Sequence, residues 1–284
     1  MEKKVAVVTD STAYLSPEIR EQLEIEMVPL SVVFGEEAFR EELDLSTDDF
    51  YKKIATVGQL PTTSQPAVGD FVSLFERLKE EGYEQVISIH LSSKISGTYQ
   101  TSLTAGSMVD GIDVHGFDTE ISCAPQAYFA MEAAKLANEG SDAITILDYL
   151  QSLKETSRAY FMVDDLNHLH RGGRLNAAQL VVGNLLKIKP ILHFVDGSIV
   201  PFEKVRTEKK ALARILQLLA EDASKGSPLD VTVIHANRLD GAEELAVRIR
   251  EAHPSAKVSI SYFGPVIGTH LGAGSLGVAW NKFN

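Results

Sequence analysis

Short apolar runs alternate with amphipathic segments through the first half of the sequence. Runs rich in Val, Ile and Phe are typical of buried strands, and they occupy residues 5–9, 24–34, 84–91 and 112–118. Segments with helical spacing of apolar residues lie between and after them, at residues 48–55, 71–82, 97–109, 123–140 and 143–156. Ser16-Pro17-Glu18 and a capping box at Ser46–Asp49 mark helix starts, and Gly82 marks a helix stop. This alternation predicts a mainly parallel sheet flanked by helices.

The pattern changes after about residue 158. Strands are predicted at residues 158–164, 230–236, 257–263 and 275–280, with helices at 207–223 and 241–252. Residues 189–205 read as two strands joined at Asp196-Gly197, which is a strong hairpin signal. A hairpin beside helical crossovers predicts a mixed sheet. The predicted fold class is therefore α/β with two α/β domains, an N-terminal one at residues 1–158 and a C-terminal one at residues 159–284.

Composition and charge limit the class of function. A chain of 284 residues with 44% hydrophobic residues fits a globular protein, and its formal charge of −12 counts against binding to nucleic acid or anionic membranes. The sequence has no run of ~18 uncharged apolar residues and no signal-peptide pattern. We therefore expect no stable membrane insertion and a cytoplasmic location. Cys123 is the only cysteine, which excludes an internal disulfide, and we expect it to be a small buried residue.

Three hydroxyl-rich clusters lie where strands end or helices begin. They are TDST (9–12), PTTSQP (61–66) and LSSKISGTYQTS (91–102). Each has an ordinary structural explanation, namely an Asx turn at Asp10, helix N-capping by Thr63 or Ser64, and N-capping by Ser96. However, strand ends in a parallel sheet share one edge, and ligands usually bind there. The clusters are therefore also candidates for a shared binding site.

Two glycine-containing segments carry the remaining candidate residues. In RGGR (171–174), two guanidinium groups offer bidentate contacts to an anion, although the segment also suits the end of one helix before another. In GPVIGTHLGAGSLG (264–277), the glycines allow the backbone to approach a ligand, and His270 either faces that ligand or packs in the core. The acidic and histidine residues at 164–170 match no strong metal-ligand spacing.

Taken together and in this order, the motifs resemble those of the DegV family of bacterial fatty-acid-binding proteins. The matching motifs are TDST, TSQP (63–66), SGT (96–98), Asp118-Thr119, RGGR and GPVIGTHLGAG (264–274), which span nearly the full chain. The resemblance implies two α/β domains that hold a long-chain fatty acid, with its carboxylate bound by hydroxyls and its tail buried. It implies no other cofactor. It also implies a partner, a dihydroxyacetone-kinase-like fatty acid kinase that phosphorylates the bound carboxylate, so the protein would be a carrier subunit rather than an enzyme.

The same resemblance implies roles for individual residues. The implied ligand-binding residues are Thr63, Ser64, Ser96, Gly97, Thr98, His270 and Arg206. Ser96 and Thr63 would hold the carboxylate, and His270 would complete the network. Arg171 and Arg174 would dock the kinase, and neither a catalytic nor a metal-binding residue is implied. The chain departs from the family at Cys123-Ala124-Pro125, where many members carry glycines, so we expect a changed tail pocket.

The alternative from another class is a small-molecule hydrolase or phosphotransferase that uses Asp10, Ser96 and His270. Such an enzyme needs its serine within hydrogen-bond reach of a base that a carboxylate orients. The sequence contains no G-x-S-x-G or H-E-x-x-H segment and no G-x-G-x-x-G segment after a strand. Its motifs therefore favour the carrier over the enzyme.

Overall fold

A computed structural model describes residues 5–58, 60–175 and 189–282. The chain divides into two compact units. The first contains Met1–Leu45 and Thr63–Glu155, and the second contains Ser46–Thr62 and Thr156–Asn284. Residues 46–62 therefore pack with the C-terminal half of the chain. Whether residues 1–158 and 159–284 are separate folding domains stays a prediction.

The first unit is built on a parallel sheet. The strands in this part of the chain are β1 (Val5–Asp10), β2 (Ile25–Val28), β3 (Ser31–Phe34), β4 (Glu37–Arg40), β5 (Thr62–Ser64), β6 (Gln85–His90) and β7 (Asp113–Asp118). The parallel sheet has the order β2-β1-β6-β7, and β4-β3-β5 form a small second sheet. The helices are α1 (Pro17–Leu23), α2 (Thr47–Ile54), α3 (Val68–Glu80), α4 (Thr98–Gly106), α5 (Ala124–Asn138) and α6 (Ala143–Thr156), of which α2 belongs to the second unit.

Local sequence signals set several of these boundaries. Helix α1 begins at Pro17 because the hydroxyl of Ser16 accepts a hydrogen bond from the amide of Ile19, as an N-cap does. Helix α2 begins after Ser46, whose hydroxyl both accepts from the amide of Asp49 and donates to its carboxylate. The predicted helix starts at Ser16 and Ser46 are therefore confirmed.

The single strand predicted at residues 24–34 is wrong. Pro29 has no N–H to donate to a sheet, and the segment divides there into β2 and β3, which lie in different sheets. Strand β2 pairs in parallel with β1, whereas β3 turns back through Gly35, which has a φ of 63°, to pair antiparallel with β4. Pro29 thus separates two strands that the hydrophobic pattern alone predicted as one.

The core of the first unit lies under α3. Its side chains Phe71, Phe75 and Leu78 are at most 1% exposed and pack against Val8 of β1 and Val86 of β6. Helix α3 presents these residues at intervals of three and four, so one face is apolar throughout. This packing fixes α3 against β1 and β6.

The second unit is built on a mixed sheet of order β10-β9-β8-β13-β11-β12. Its strands are β8 (Arg158–Met162), β9 (Ile191–Val195), β10 (Ser198–Glu203), β11 (Leu229–His235), β12 (Lys257–Tyr262) and β13 (Leu276–Lys282), and its further helices are α7 (Asn167–Arg171), α8 (Glu208–Ala223), α9 (Leu239–Ala252) and α10 (Pro265–Leu271). The predicted hairpin is present, because Asp196 and Gly197 join β9 to β10 with φ of 48° and 77°. The α/β class, with one parallel and one mixed sheet, is confirmed.

Helix α10 forms within the glycine-containing segment at residues 264–277, where no helix was predicted. Pro265 occupies its first turn, and Gly272, with a φ of 75°, ends it. The helix packs closely on α2, because a Cβ at Gly268 would lie 2.7 Å from the Tyr51 hydroxyl and 2.8 Å from the Phe50 ring. The hydroxyl of Tyr51 also donates to the carbonyl of Phe263 (2.7 Å). Glycine here permits close contact between two helices.

Candidate functional site

The TDST cluster lies at the carboxyl end of β1, but its polar groups point inward. Asp10 is fully buried, and its Oδ1 accepts hydrogen bonds from the amide (3.0 Å) and hydroxyl (2.6 Å) of Thr12. Its Oδ2 accepts from the amide of Leu91 (3.2 Å) and lies 2.9 Å from Nδ1 of His90. Burial raises the pKa of Asp10, but the bond and charge of His90, together with bonds from Thr12 and Gln126, outweigh it and leave the pKa below its usual value. The Asx-turn explanation of Asp10 is confirmed.

A buried hydrogen-bonded chain continues from Asp10 through the first unit. Nε2 of His90 lies 2.7 Å from Oγ of Ser88, and Ser88 Oγ accepts from the hydroxyl of Ser102 (2.7 Å). All four residues are 0% exposed. The order serine–histidine–carboxylate matches that of a hydrolase triad, but it involves Ser88 and His90, and no atom of it is open to a substrate. The chain therefore ties α4 to β6 and β1.

The hydroxyl of Ser11 in TDST is also used internally. Ser11 Oγ donates to Oε2 of Glu41 (2.5 Å) and accepts from the amide of Leu30 (3.1 Å), while the hydroxyl of Tyr14 donates to Oε1 of Glu41 (3.1 Å). Both Ser11 and Glu41 are at most 1% exposed. The TDST cluster thus holds the first unit together through internal hydrogen bonds.

The SGT segment forms the start of α4. Thr98 is fully buried and its Oγ1 lies 2.9 Å from Oγ of Ser96, which also accepts from the Thr98 amide (3.3 Å). The prediction that Ser96 is the N-cap is wrong, because the N-cap residue is Gly97. Ser96 precedes the N-cap and accepts a hydrogen bond from the amide of Thr98, the first residue of the helix. Ser96 itself is half-buried, so its hydroxyl lies at the edge of the structured turn.

The TSQP segment reaches the SGT segment through Gln65. Its Nε2 donates to Oγ1 of Thr101 (2.6 Å), and Thr101 Oγ1 donates to the carbonyl of Gly97 (3.1 Å). Residues Thr63 and Ser64 lie in β5, directly before Gln65. The predicted capping of α3 by Thr63 or Ser64 is wrong, because the N-cap is Ala67, whose amide donates to Asp70 (3.2 Å). The structure therefore brings two of the predicted hydroxyl clusters together within the first unit.

His270 lies on α10 and is 8% exposed. A Cβ at Gly172 would lie 2.3 Å from its Nδ1, so the RGGR segment packs directly on the imidazole ring. Burial, together with the neighbouring charges of Arg174 and His168, lowers the pKa of His270 to about 3. His270 is therefore neutral near pH 7 and offers an uncharged imidazole. Most of the His270 surface is therefore packed in the protein interior.

The candidate arginines differ in exposure. Arg171 is exposed at the end of α7, and Arg206 is exposed directly before Thr207, the N-cap of α8. Arg174 is half-buried, its Nη1 donates to the carbonyl of Gly172 (2.6 Å), and burial lowers its pKa. Arg174 thus closes the turn after α7, as one of the two explanations of RGGR proposed. Arg171 is the more accessible cation of the pair.

Cys123 is buried as predicted, at 2% exposure, and burial raises the pKa of its thiol to about 12. The thiol is therefore protonated and unreactive near pH 7. Its backbone has φ of 63° and ψ of −142°, a region that residues with a Cβ rarely adopt. Its amide donates to the carbonyl of Thr12 (3.1 Å), which places the strained residue beside the TDST turn. Many members of the family that the sequence resembles carry glycine near this position, whereas the cysteine here adopts its strained backbone conformation at a cost in free energy.

Fold and site together define a two-unit α/β protein with hydroxyl groups gathered at the carboxyl side of a parallel sheet. The sequence profile described as "Uncharacterised protein, DegV family" matches residues 4–282. The chain belongs to the DegV family. It is 67% identical over 277 residues to a DegV domain-containing protein of Halalkalibacterium halodurans, with 98% of each chain covered.

Solved structures agree with this assignment. The crystal structure of DegV, a fatty acid binding protein from Bacillus subtilis, is 54% identical and has a TM-score of 0.94, covering 99% of both chains. A fatty acid binding DegV family protein from Streptococcus agalactiae is 35% identical, with a TM-score of 0.91 and the same coverage. Among the described residues of this chain, no helix is long and apolar enough to cross a membrane.

Proposed function

We propose that this protein binds a long-chain fatty acid and presents its carboxylate to a kinase subunit for acyl-phosphate formation. The observation that carries the proposal is full-length similarity to relatives that bind fatty acids, at 54% identity and a TM-score of 0.94 for one of them. The proximity of the TSQP and SGT segments supports it, because Gln65 of the first bonds to Thr101, which bonds to Gly97 of the second at the start of α4. The protein acts as a carrier subunit, located in the cytoplasm.

The chemistry of the head group explains the choice of residues. Removing an ionised carboxylate from water costs several kcal/mol unless convergent donors replace its hydration. The proposed donors are the hydroxyls of Thr63, Ser64, Ser96 and Thr98, with Gly97 shaping the turn. Hydroxyls donate without adding a charge that would hold the head group permanently. About fifteen buried methylenes contribute at most ~12 kcal/mol, before the costs of association, so the tail supplies affinity and the hydroxyls supply orientation.

The remaining proposed residues lie in the second unit. His270 offers a neutral imidazole, which donates one hydrogen bond to a carboxylate without pairing with it as a cation. Arg206 is an exposed cation and a weaker candidate for the head group. Arg171 and Arg174 are proposed to dock a dihydroxyacetone-kinase-like fatty acid kinase. In that reaction a carboxylate oxygen attacks the γ-phosphorus of ATP, forming the acyl phosphate and releasing ADP.

The enzyme alternative fits the geometry less well. Its carboxylate, Asp10, is committed to His90 at 2.9 Å and to Thr12 at 2.6 Å, in a fully buried site. Ser96 bonds to Thr98 instead of a histidine–carboxylate pair. The nucleophile and the orienting carboxylate that such an enzyme needs are thus engaged in separate hydrogen-bond groups.

The proposal is tested by extracting purified protein under denaturing conditions and identifying the lipid by mass spectrometry. We expect about one long-chain fatty acid per chain. Ser96→Ala and Thr63→Ala are expected to weaken palmitate binding about 5- to 150-fold, since a buried acceptor that loses a donor costs ~1–3 kcal/mol. Thr104→Ala is the matched control, because Thr104 is exposed on the same helix as Thr98 and bonds to its own helix at Gln100.

The kinase step is measured on the same proteins. Arg171→Ala is expected to keep its lipid and its melting temperature while slowing acyl-phosphate formation with a reconstituted kinase. Protein that contains no lipid and takes up neither palmitate nor oleate refutes the binding proposal. Phosphorylation of Arg171→Ala and Arg174→Ala at the wild-type rate refutes the docking assignment alone.

A further inference from the structure

The side chain of Gln65 spans two segments that are 36 residues apart in sequence. Its Nε2 donates to Thr101 Oγ1 at 2.6 Å, and that hydroxyl donates to the carbonyl of Gly97 at 3.1 Å. Gln65 directly follows Thr63 and Ser64, while Gly97 directly follows Ser96. One exposed amide therefore connects the segment that carries one pair of candidate ligands to the turn that carries the other.

The absence of a side chain at Gly97 leaves space for the Gln65 amide. A Cβ at position 97 would lie 2.0 Å from Oε1 and 2.9 Å from Cδ of Gln65, and the three nearest atoms all belong to Gln65. The φ of Gly97 is −82°, which any residue adopts, so the backbone does not require glycine. The reason for glycine at this position is thus contact with the Gln65 side chain.

We infer that Gln65 is a positioning residue of the fatty-acid head-group site, a clamp that holds the Thr63-Ser64 strand end against the first turn of α4. The inference rests on the proposed function. Gln65 acts through the hydroxyls beside it, because its own amide nitrogen is occupied by Thr101. Since Gln65 is exposed, losing its hydrogen bond changes the global stability little. The orientation of the bound carboxylate is what changes.

The test measures the rate at which palmitate leaves the protein, by transfer to phosphatidylcholine vesicles, at a temperature where every variant is folded. Gln65→Ala and Gly97→Ala are each expected to release palmitate about 3- to 10-fold faster, the loss of one hydrogen-bonded contact. In the double variant the Cβ at position 97 no longer meets the glutamine side chain, so the release rate is expected to equal that of Gln65→Ala. Thr101→Val, which removes the hydroxyl and keeps the volume, is a second route to the same result.

Gln100→Ala is the matched control, because Gln100 is an exposed glutamine in the first turn of the same helix. Its release rate and the melting temperatures of all variants are expected to match wild type. Unchanged release from Gln65→Ala and Thr101→Val, or rates that multiply in the double variant, overturn the clamp and leave fatty-acid binding standing. Wild-type protein that binds no palmitate overturns the proposed function, and the clamp with it.

Discussion

Protonation of His270 gives the sharpest test of the second unit. The imidazole is 8% exposed, and its pKa falls from 6.5 to about 3 on burial beside Arg174 and His168. Between these values the unfolded chain binds a proton that the folded protein excludes. The stabilising contribution is therefore complete above pH 6.5 and is lost as the pH falls toward 3.

The size of the effect follows from the two pKa values. One unit of difference corresponds to ~1.4 kcal/mol. Lowering the pH from 7 to 5 is therefore expected to remove about 2 kcal/mol of unfolding free energy through His270 alone, since only the unfolded form titrates in that range. His270→Gln has no such group, so its stability is expected to fall by about 2 kcal/mol less over the same interval.

The measurement is urea-induced unfolding of wild type and His270→Gln at pH 7, 6, 5.5 and 5. The half-buried His193 and His235, whose pKa values partial burial also lowers, are present in both proteins and cancel in the difference. The control is His170→Gln, which makes the same substitution at an exposed histidine of the same unit. Repeating the comparison in a His168→Gln background separates the effect of burial on the His270 pKa from the effect of the neighbouring His168.

The difference between pH slopes is the result that matters, because the substitution also changes packing at every pH. Wild type and His270→Gln that lose stability in parallel from pH 7 to 5 would refute the claim that His270 is held neutral by burial. A steeper loss in the variant would refute it equally.

Two further predictions concern the first unit, each measured by urea-induced unfolding at pH 7. Cys123→Gly is expected to be about 1 kcal/mol more stable than Cys123→Ala, because both remove the thiol but only glycine relieves the positive φ; equal stabilities would show that the backbone there is not strained. Ser102→Ala is expected to cost about 1–3 kcal/mol, since it deprives the buried Ser88–His90–Asp10 chain of a donor, and a cost no greater than that of exposed Thr104→Ala would contradict that role.

Sequence reasoning succeeded where the signal is local. The helix starts at Ser16 and Ser46 and the hairpin at Asp196-Gly197 depend on residues within a few positions of one another, so pattern and structure agree. The start and stop signals of α10 were present too, as Pro265 and Gly272, but Gly268 between them has a low helix propensity. Contact with α2, more than 200 residues earlier, outweighs that propensity.

The polar interior was beyond local reasoning. Asp10 and His90 are 80 residues apart, and Gln126 reaches Thr9 and Thr12 from further still. Nothing in the sequence near Asp10 indicates which histidine it contacts. Ser88 and His90 alternate with apolar residues in β6, which indicates only that they share one face of the strand. The candidate ligands Thr63 and Ser96 were identified by resemblance, and Gln65, which links their segments, lay unnoticed inside the TSQP motif.

The path of the chain also constrains how the protein is made. Helix α2 is among the first hundred residues to leave the ribosome, yet its Tyr51 bonds to Phe263, 212 positions later. At ~5–20 residues per second, translation supplies that acceptor about 10–40 s after Tyr51. Until then the buried Phe50 and Tyr51 of α2 lack their contact with Gly268 of α10. The strands of the parallel sheet are therefore all synthesised before α2 can meet α10, and a ribosome that stops early releases a chain in which Phe50 and Tyr51 lack these contacts.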